Sequence, residues 1–245
     1  IDNAILITFW VVGFVFLALG GFMVYCVWRY RHQRNRKAEY KPEDKKLEFI
    51  LVTVSAIAVV VLLAPGLSVW NDYIKVPKDA TKVEVLSYQW GWNYRLAGED
   101  GVLGKTSIKN VSDENPYGLD LKDPNGKDDI IVQDADLHLQ IDKPVEFLLR
   151  SIDVLHNFYV PEFRAKMDMV PGLVTYYWIT PTKTGEYEIL CAELCGTGHY
   201  AMLGIVSVDK KSDYSNWLAQ QITFESTLAQ NKIKNKTIQL AENTK

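Results

Sequence analysis

The sequence predicts a two-helix transmembrane hairpin followed by an all-β sandwich or barrel. Three observations predict it: two long apolar runs near the start, a short basic stretch between them, and alternating or β-branched runs from about Thr81 onward. Ala4 to Trp28 runs for about 25 residues without a charge and Phe49 to Trp70 for about 22, each enough to cross a bilayer as a helix. Gly20 and Gly21 would let another helix approach the first span closely, and Cys26 reads as a packing residue within it. Between the spans lie Arg29, Arg31, Arg34, Arg36 and Lys37, then Lys41, Lys45 and Lys46, a loop of the kind kept in the cytoplasm. Both termini are then expected outside. The first run is too long for a cleaved signal peptide, and the start at Ile1 rather than Met points to processing or a missing beginning.

The expected organisation is a hairpin over residues 1–75 (spans about 4–28 and 49–70, cytoplasmic loop 29–48), a β domain over 76–211, and a C-terminal helix with a polar tail over 212–245. Strands are expected at 83–88, 129–133, 137–141, 145–150, 174–180, 187–190 and 203–208, with turns marked by Asp142-Lys143-Pro144, Pro171-Gly172 and the segment Pro181 to Gly185. Residues 98–128 are rich in Gly, Asn, Asp and Lys with few large apolar side chains, which reads as a long surface excursion suited to binding. After Ser212, Tyr214, Trp217, Leu218 and Ile222 recur at helical spacing, and the tail from Asn231 is polar. The net charge is −3, and with the basic loop inside, the outer part is acidic and suited to a basic soluble partner. No nucleic-acid partner is expected.

Cys191, Cys195, His199 and Met202 fall within one loop, and soft sulfur donors beside an imidazole suit copper. A blue-copper site needs a single Cys, whereas two thiolates can bridge two copper ions and let them share one unpaired electron. A second imidazole is then needed. His156, after the strand-like run Pro144 to Arg150, is the best candidate. The alternatives are a disulfide, which would constrain little chain across so short a loop, and zinc, which rarely recruits Met.

The hairpin, the β domain, His156 and the Cys191 to Met202 loop together resemble subunit II of cytochrome c oxidase, over nearly the whole chain. The resemblance implies a cupredoxin-like Greek-key β domain and a dinuclear copper A centre. Cys191 and Cys195 would bridge the coppers, His156 and His199 would each cap one, and Met202 and the carbonyl of Glu193 would be weak ligands. The Glu193 side chain would help hold magnesium or manganese at the interface with subunit I. Tyr88-Gln89-Trp90-Gly91-Trp92 resembles the family's aromatic segment, which gives Trp90 the place of electron entry; ordinary core aromatics on a strand are the alternative. Asp153 matches a carboxylate near the docking face, to which Asp134 and Asp136 would add, although exposed acidic residues usually only solvate, and Lys166 and Asp168 match positions near subunit I.

Glu48 matches a carboxylate at the cytoplasmic mouth of a proton path, although an ordinary helix-end charge reads the same way. Leu51 and Ser55 stand where the family commonly has Trp and Pro, which weakens the match there. An intact ligand set implies a cytochrome c donor rather than quinol. Without a Cys-x-x-Cys-His motif no covalent haem is expected on this chain, so the donor would be a separate cytochrome c or a haem c domain of a neighbouring complex. The implied partners are subunit I with its haem and copper B, subunit III and membrane lipid. The implied activity is one-electron relay within a proton-pumping oxidase, in a bacterial inner membrane with the β domain in the periplasm; a mitochondrial membrane would give the same orientation. A nitrous oxide reductase-like copper A domain, a membrane-anchored copper chaperone and a disulfide-bridged structural subunit are the other readings.

Overall fold

The structure, a computed structural model, describes residues 2–229 apart from 35, 38, 39, 41, 113, 114, 134 and 135. Asp134 and the tail from Asn231 therefore lie outside the described residues. The chain divides into two compact units, Ile1–Lys75 and Val76–Lys245.

In the first unit, α1 (Asp2–Arg29) and α2 (Lys45–Tyr73) extend past both expected apolar spans. Both helices are long and apolar enough to cross a membrane, and neither contains a buried residue. Asp44 caps α2 by accepting from the Leu47 N–H, which satisfies one of the donors a helix start leaves open. Nothing lies within 4 Å of where a Cβ on Gly20 or Gly21 would stand, so a helix could approach there without hindrance.

The second unit is a sandwich of two five-stranded sheets. Its strands are β1 (Thr81–Tyr88), β2 (Gly91–Leu96), β3 (Ile130–Gln133), β4 (Leu137–Gln140), β5 (Val145–Ser151), β6 (His156–Val160), β7 (Ala165–Met169), β8 (Thr175–Ile179), β9 (Gly185–Cys191) and β10 (Leu203–Asp209). One sheet runs β3-β2-β1-β5-β8 and the other β4-β10-β9-β6-β7, with β1–β5 and β4–β10 parallel and the other pairs antiparallel. Phe147 of β5 meets Phe158 of β6 across the sandwich at 5.6 Å, with Trp92 and Tyr177 packed around them. These aromatic contacts close the core between the two sheets. α3 (Lys211–Leu218) lies against β4 and β10, and Trp217 stacks on His138 at 4.5 Å. The helical spacing expected to reach Ile222 stops at Leu218.

β1 and β2 are buried on both faces, although strict alternation would leave one face wet. Part of the cover is the 98–128 segment, which lies over the sheet with Tyr117 and Leu119 turned into it. Tyr117 and Leu119 are buried and form a second small core with Leu86 and Phe224. Beneath it, Arg95 is paired directly across from Glu84 in the β1–β2 register. Arg95 also binds the Asp129 carboxylate at 2.6 Å and donates to the Gly104 carbonyl at 3.1 Å, while Arg150 reaches the other oxygen of Glu84 at 2.8 Å. Buried charges persist when paired and hydrogen-bonded, and these fasten the segment to the sheet. The segment's ends meet: a Cβ on Gly98 would fall 2.1 Å from the Asp128 carbonyl oxygen.

Candidate metal centre

The β9–β10 hairpin builds the loop. Its ladder continues one step past Leu190↔Leu203 through the Cys191 N–H and the Met202 carbonyl, so both sulfur side chains stand at the loop's base. The chain turns at Gly196, whose φ of +116° favours glycine, and re-enters through a 3-10 turn at His199–Ala201. His156 arrives from the neighbouring strand: Phe158 pairs with Cys191, and the Ala192 N–H donates to the Asn157 carbonyl. His156 thus opens β6, a strand the sequence does not advertise, rather than ending the run before it.

Cys191 and Cys195 are free thiols with Sγ atoms 3.6 Å apart. His156 Nδ1 lies 3.8 Å from Cys191 Sγ, and His199 Nδ1 lies 3.5 Å from Cys195 Sγ. Met202 Sδ is 3.8 Å from Cys195 Sγ, and the Glu193 carbonyl oxygen is 3.2 Å from Cys191 Sγ. His156, Cys191 and Cys195 are buried and their donor atoms all lie within 4.8 Å of one another. His199 stands outside that group. Each thiol therefore has its own imidazole, and the four donors do not converge on one tetrahedral point as a single zinc would require. The soft set of two thiolates, two imidazoles and a thioether fits copper.

Charges around the site are few and placed. Asp153 Oδ1 lies 2.9 Å from His156 Nε2, and because an ionised carboxylate only accepts, Nε2 donates to it while Nδ1 faces Cys191. Partial burial opposes ionisation of Asp153, but hydrogen bonds from His156 and from the Val154 and Gln89 N–H groups outweigh it and hold its carboxyl below the usual range. Burial, then the neighbouring Cys191, pushes the Cys195 thiol up to about 11. Metal binding must therefore displace protons from the loop.

Trp90 is 42 % exposed and its indole N–H donates to the Cys195 carbonyl at 3.2 Å. Its ring lies against Gly198, where a Cβ would fall 2.4 Å from the ring carbons. Asp136 is exposed and apart from these contacts. Glu48 lies in the first turn of α2, in the other unit, where the helix N-terminus favours a carboxylate. Two residues not assigned a role from sequence also belong here. Gln89 touches both Asp153 and Cys195, and Asn157 is pinned by Asp168 at 2.6 Å. Only strand register reveals them.

Residues 81–209 match the family model described as cytochrome c oxidase subunit II, periplasmic domain. An alternative cytochrome c oxidase subunit 2 from Bradyrhizobium diazoefficiens is 54% identical over 233 residues, covering 95% of this chain and 84% of that one. The chain belongs to the cytochrome c oxidase subunit II family. A cytochrome c oxidase subunit 2 from Cereibacter sphaeroides is 26% identical over 226 residues, covering 86% of this chain and 75% of that one. The periplasmic domain of subunit II of cytochrome oxidase from Bradyrhizobium japonicum matches with a TM-score of 0.44 and 23% identity, over 59% of this chain and 95% of that one. As a subunit II, the chain is part of an oxidoreductase and serves electron transfer. Its two apolar helices and its β unit fit a membrane protein with that domain in the periplasm.

Proposed function

We propose that the chain takes electrons one at a time from cytochrome c and hands them to the haem of subunit I, where oxygen is reduced and protons are pumped. Cys191 and Cys195 would bridge two copper ions, with His156 and His199 capping them and Met202 and the Glu193 carbonyl as outer ligands. Such a copper pair supplies a one-electron site that changes charge with little movement of its ligands. The observation that carries this reading is the pairing of each thiol with its own imidazole around a 3.6 Å Sγ–Sγ separation.

The surrounding residues suit that task. Asp153 fixes the tautomer and tilt of His156, and burial of the Cys191, Cys195 and Met202 side chains excludes water. Trp90 supports electron entry: from the exposed indole a hydrogen bond leads to the Cys195 carbonyl and from there through covalent bonds to Sγ. The half-exposed Glu193 side chain would serve magnesium or manganese at the subunit I face, and Glu48 would open a proton path. Subunit III, membrane lipid and an outward position for both termini complete the assembly proposed.

The test is copper content and electron paramagnetic resonance on the full chain in detergent. Two coppers sharing one electron give more hyperfine lines, more closely spaced, than one. A mononuclear spectrum, or protein that takes up no copper, would overturn the reading.

A further inference from the structure

We infer that Gln89 is a positioning residue of the metal centre, tying the His156 half of the site to the Cys195 half; the inference rests on the copper reading above. Gln89 follows the last residue of β1. The parallel β1–β5 register pairs Ser87 with Ser151, and the Ile152 N–H donates to the Ser87 carbonyl at 3.0 Å, which brings the end of β1 beside Asp153. There the Gln89 backbone N–H donates to Asp153 Oδ2 at 2.7 Å, while the other oxygen of the same carboxylate holds His156. The Gln89 side chain reaches the opposite way, and its Nε2 amide donates to the Cys195 carbonyl at 2.8 Å.

One residue thus grips both halves. Its main chain fixes the carboxylate that orients one imidazole, and its side chain fixes the peptide that carries the second thiol. Trp90 donates to the same carbonyl at the longer distance of 3.2 Å, so the two neighbours share one acceptor and hold it from two directions. The loop is shaped to admit the amide. A Cβ on Gly196 would fall 2.9 Å from Gln89 Nε2, so glycine there leaves the space that the amide fills. The bond acts on the ligand's backbone rather than on its sulfur, and sets where Cys195 Sγ sits relative to Cys191 Sγ.

Gln89→Leu keeps the backbone bond to Asp153 and removes the side-chain bond alone. Gln89→Glu places a carboxylate against a carbonyl, and Gln89→Lys restores a donor. The copper-loaded chain is compared in detergent without any cytochrome c, so donor docking contributes nothing to the readout. In Gln89→Leu the hyperfine pattern becomes less evenly shared between the two coppers, and loss of copper to a chelator speeds about tenfold. Gln89→Glu loses copper faster still, and Gln89→Lys moves back toward wild type. Wild-type spectrum and retention in Gln89→Leu would overturn the inference while leaving the copper reading intact; wild-type protein that takes up no copper overturns both. If Gln89→Leu does not accumulate, the contrast between Gln89→Glu and Gln89→Lys decides, and equal retention in those two overturns the inference.

Discussion

The 98–128 segment and the Cys191–Met202 loop are both irregular chain laid over the same sandwich, yet they are held by opposite means. The first is fastened by charge, through Glu84, Arg95, Asp129 and Arg150, and by a small apolar core of its own. The second is held by backbone ladder bonds and by neutral N–H donors from Gln89 and Trp90 on one carbonyl, with a single carboxylate directed at one imidazole. The difference follows from what each must carry. A covering segment gains register from fixed ion pairs, whereas strong fixed charges beside two thiolates would bias their ionisation and the charge state of whatever they bind.

That contrast breaks most sharply at Arg95. Arg95→Met leaves Asp129 as a buried charge without its cation and Glu84 with Arg150 alone, and a loss of about 3–5 kcal/mol is expected in chemical denaturation. Protein that remains folded keeps the wild-type copper spectrum, because no contact of Arg95 reaches the metal loop. A changed spectrum would show that the two regions are coupled. Leu119→Ala empties part of the small core without touching charge, and a loss of about 2–4 kcal/mol is expected in the same measurement, again with the spectrum retained.

On the other side of the comparison, Trp90→Phe removes one donor and keeps an aromatic ring. Stability falls by only about 1 kcal/mol and the copper spectrum shifts little, while oxidation of reduced cytochrome c slows in stopped-flow assays. An unchanged rate would remove Trp90 from the entry route. The mildest perturbation is pH. The raised thiol of Cys195 favours the folded apoprotein fully below about pH 9.0, the ordinary value, and that contribution is lost as pH rises toward about 11. The depressed carboxyl of Asp153 works in reverse: its contribution is present above the ordinary value of 3.8 and lost as pH falls through its lower folded value. Denaturation of the metal-free chain at stepped pH measures both, and copper loading should abolish the alkaline limb.

The two apolar spans were legible because nothing interrupts them, and most strands because β-branched residues alternate between clear turns. β2, β6 and β7 escaped for separate reasons. Gly91–Leu96 shares its first two residues with the aromatic segment Tyr88 to Trp92, His156 and Asn157 open β6 with polar side chains, and Ala165–Met169 holds Ala, Lys and Asp, which are depleted in strands. In the 98–128 segment, Tyr117, Leu119 and Leu121 alternate over too short a run to mark a strand, and only the first two are buried. The sulfur and imidazole ligands were readable because their chemistry is in their identity. Gln89 was not, since an amide gains its place from a parallel register between strands far apart in sequence.

The pinch between Gly98 and Asp128 has a consequence for how this lineage can vary. A segment whose two ends already touch is a closed pendant, and the closure entropy of such a loop grows only as the logarithm of its length. Residues added away from Tyr117 and Leu119, which pack on the sheet, would therefore cost little in closure, whereas a side chain at Gly98 would force the neck open. Inserted length in this segment is thus cheap for the fold, and a Cβ at Gly98 is not.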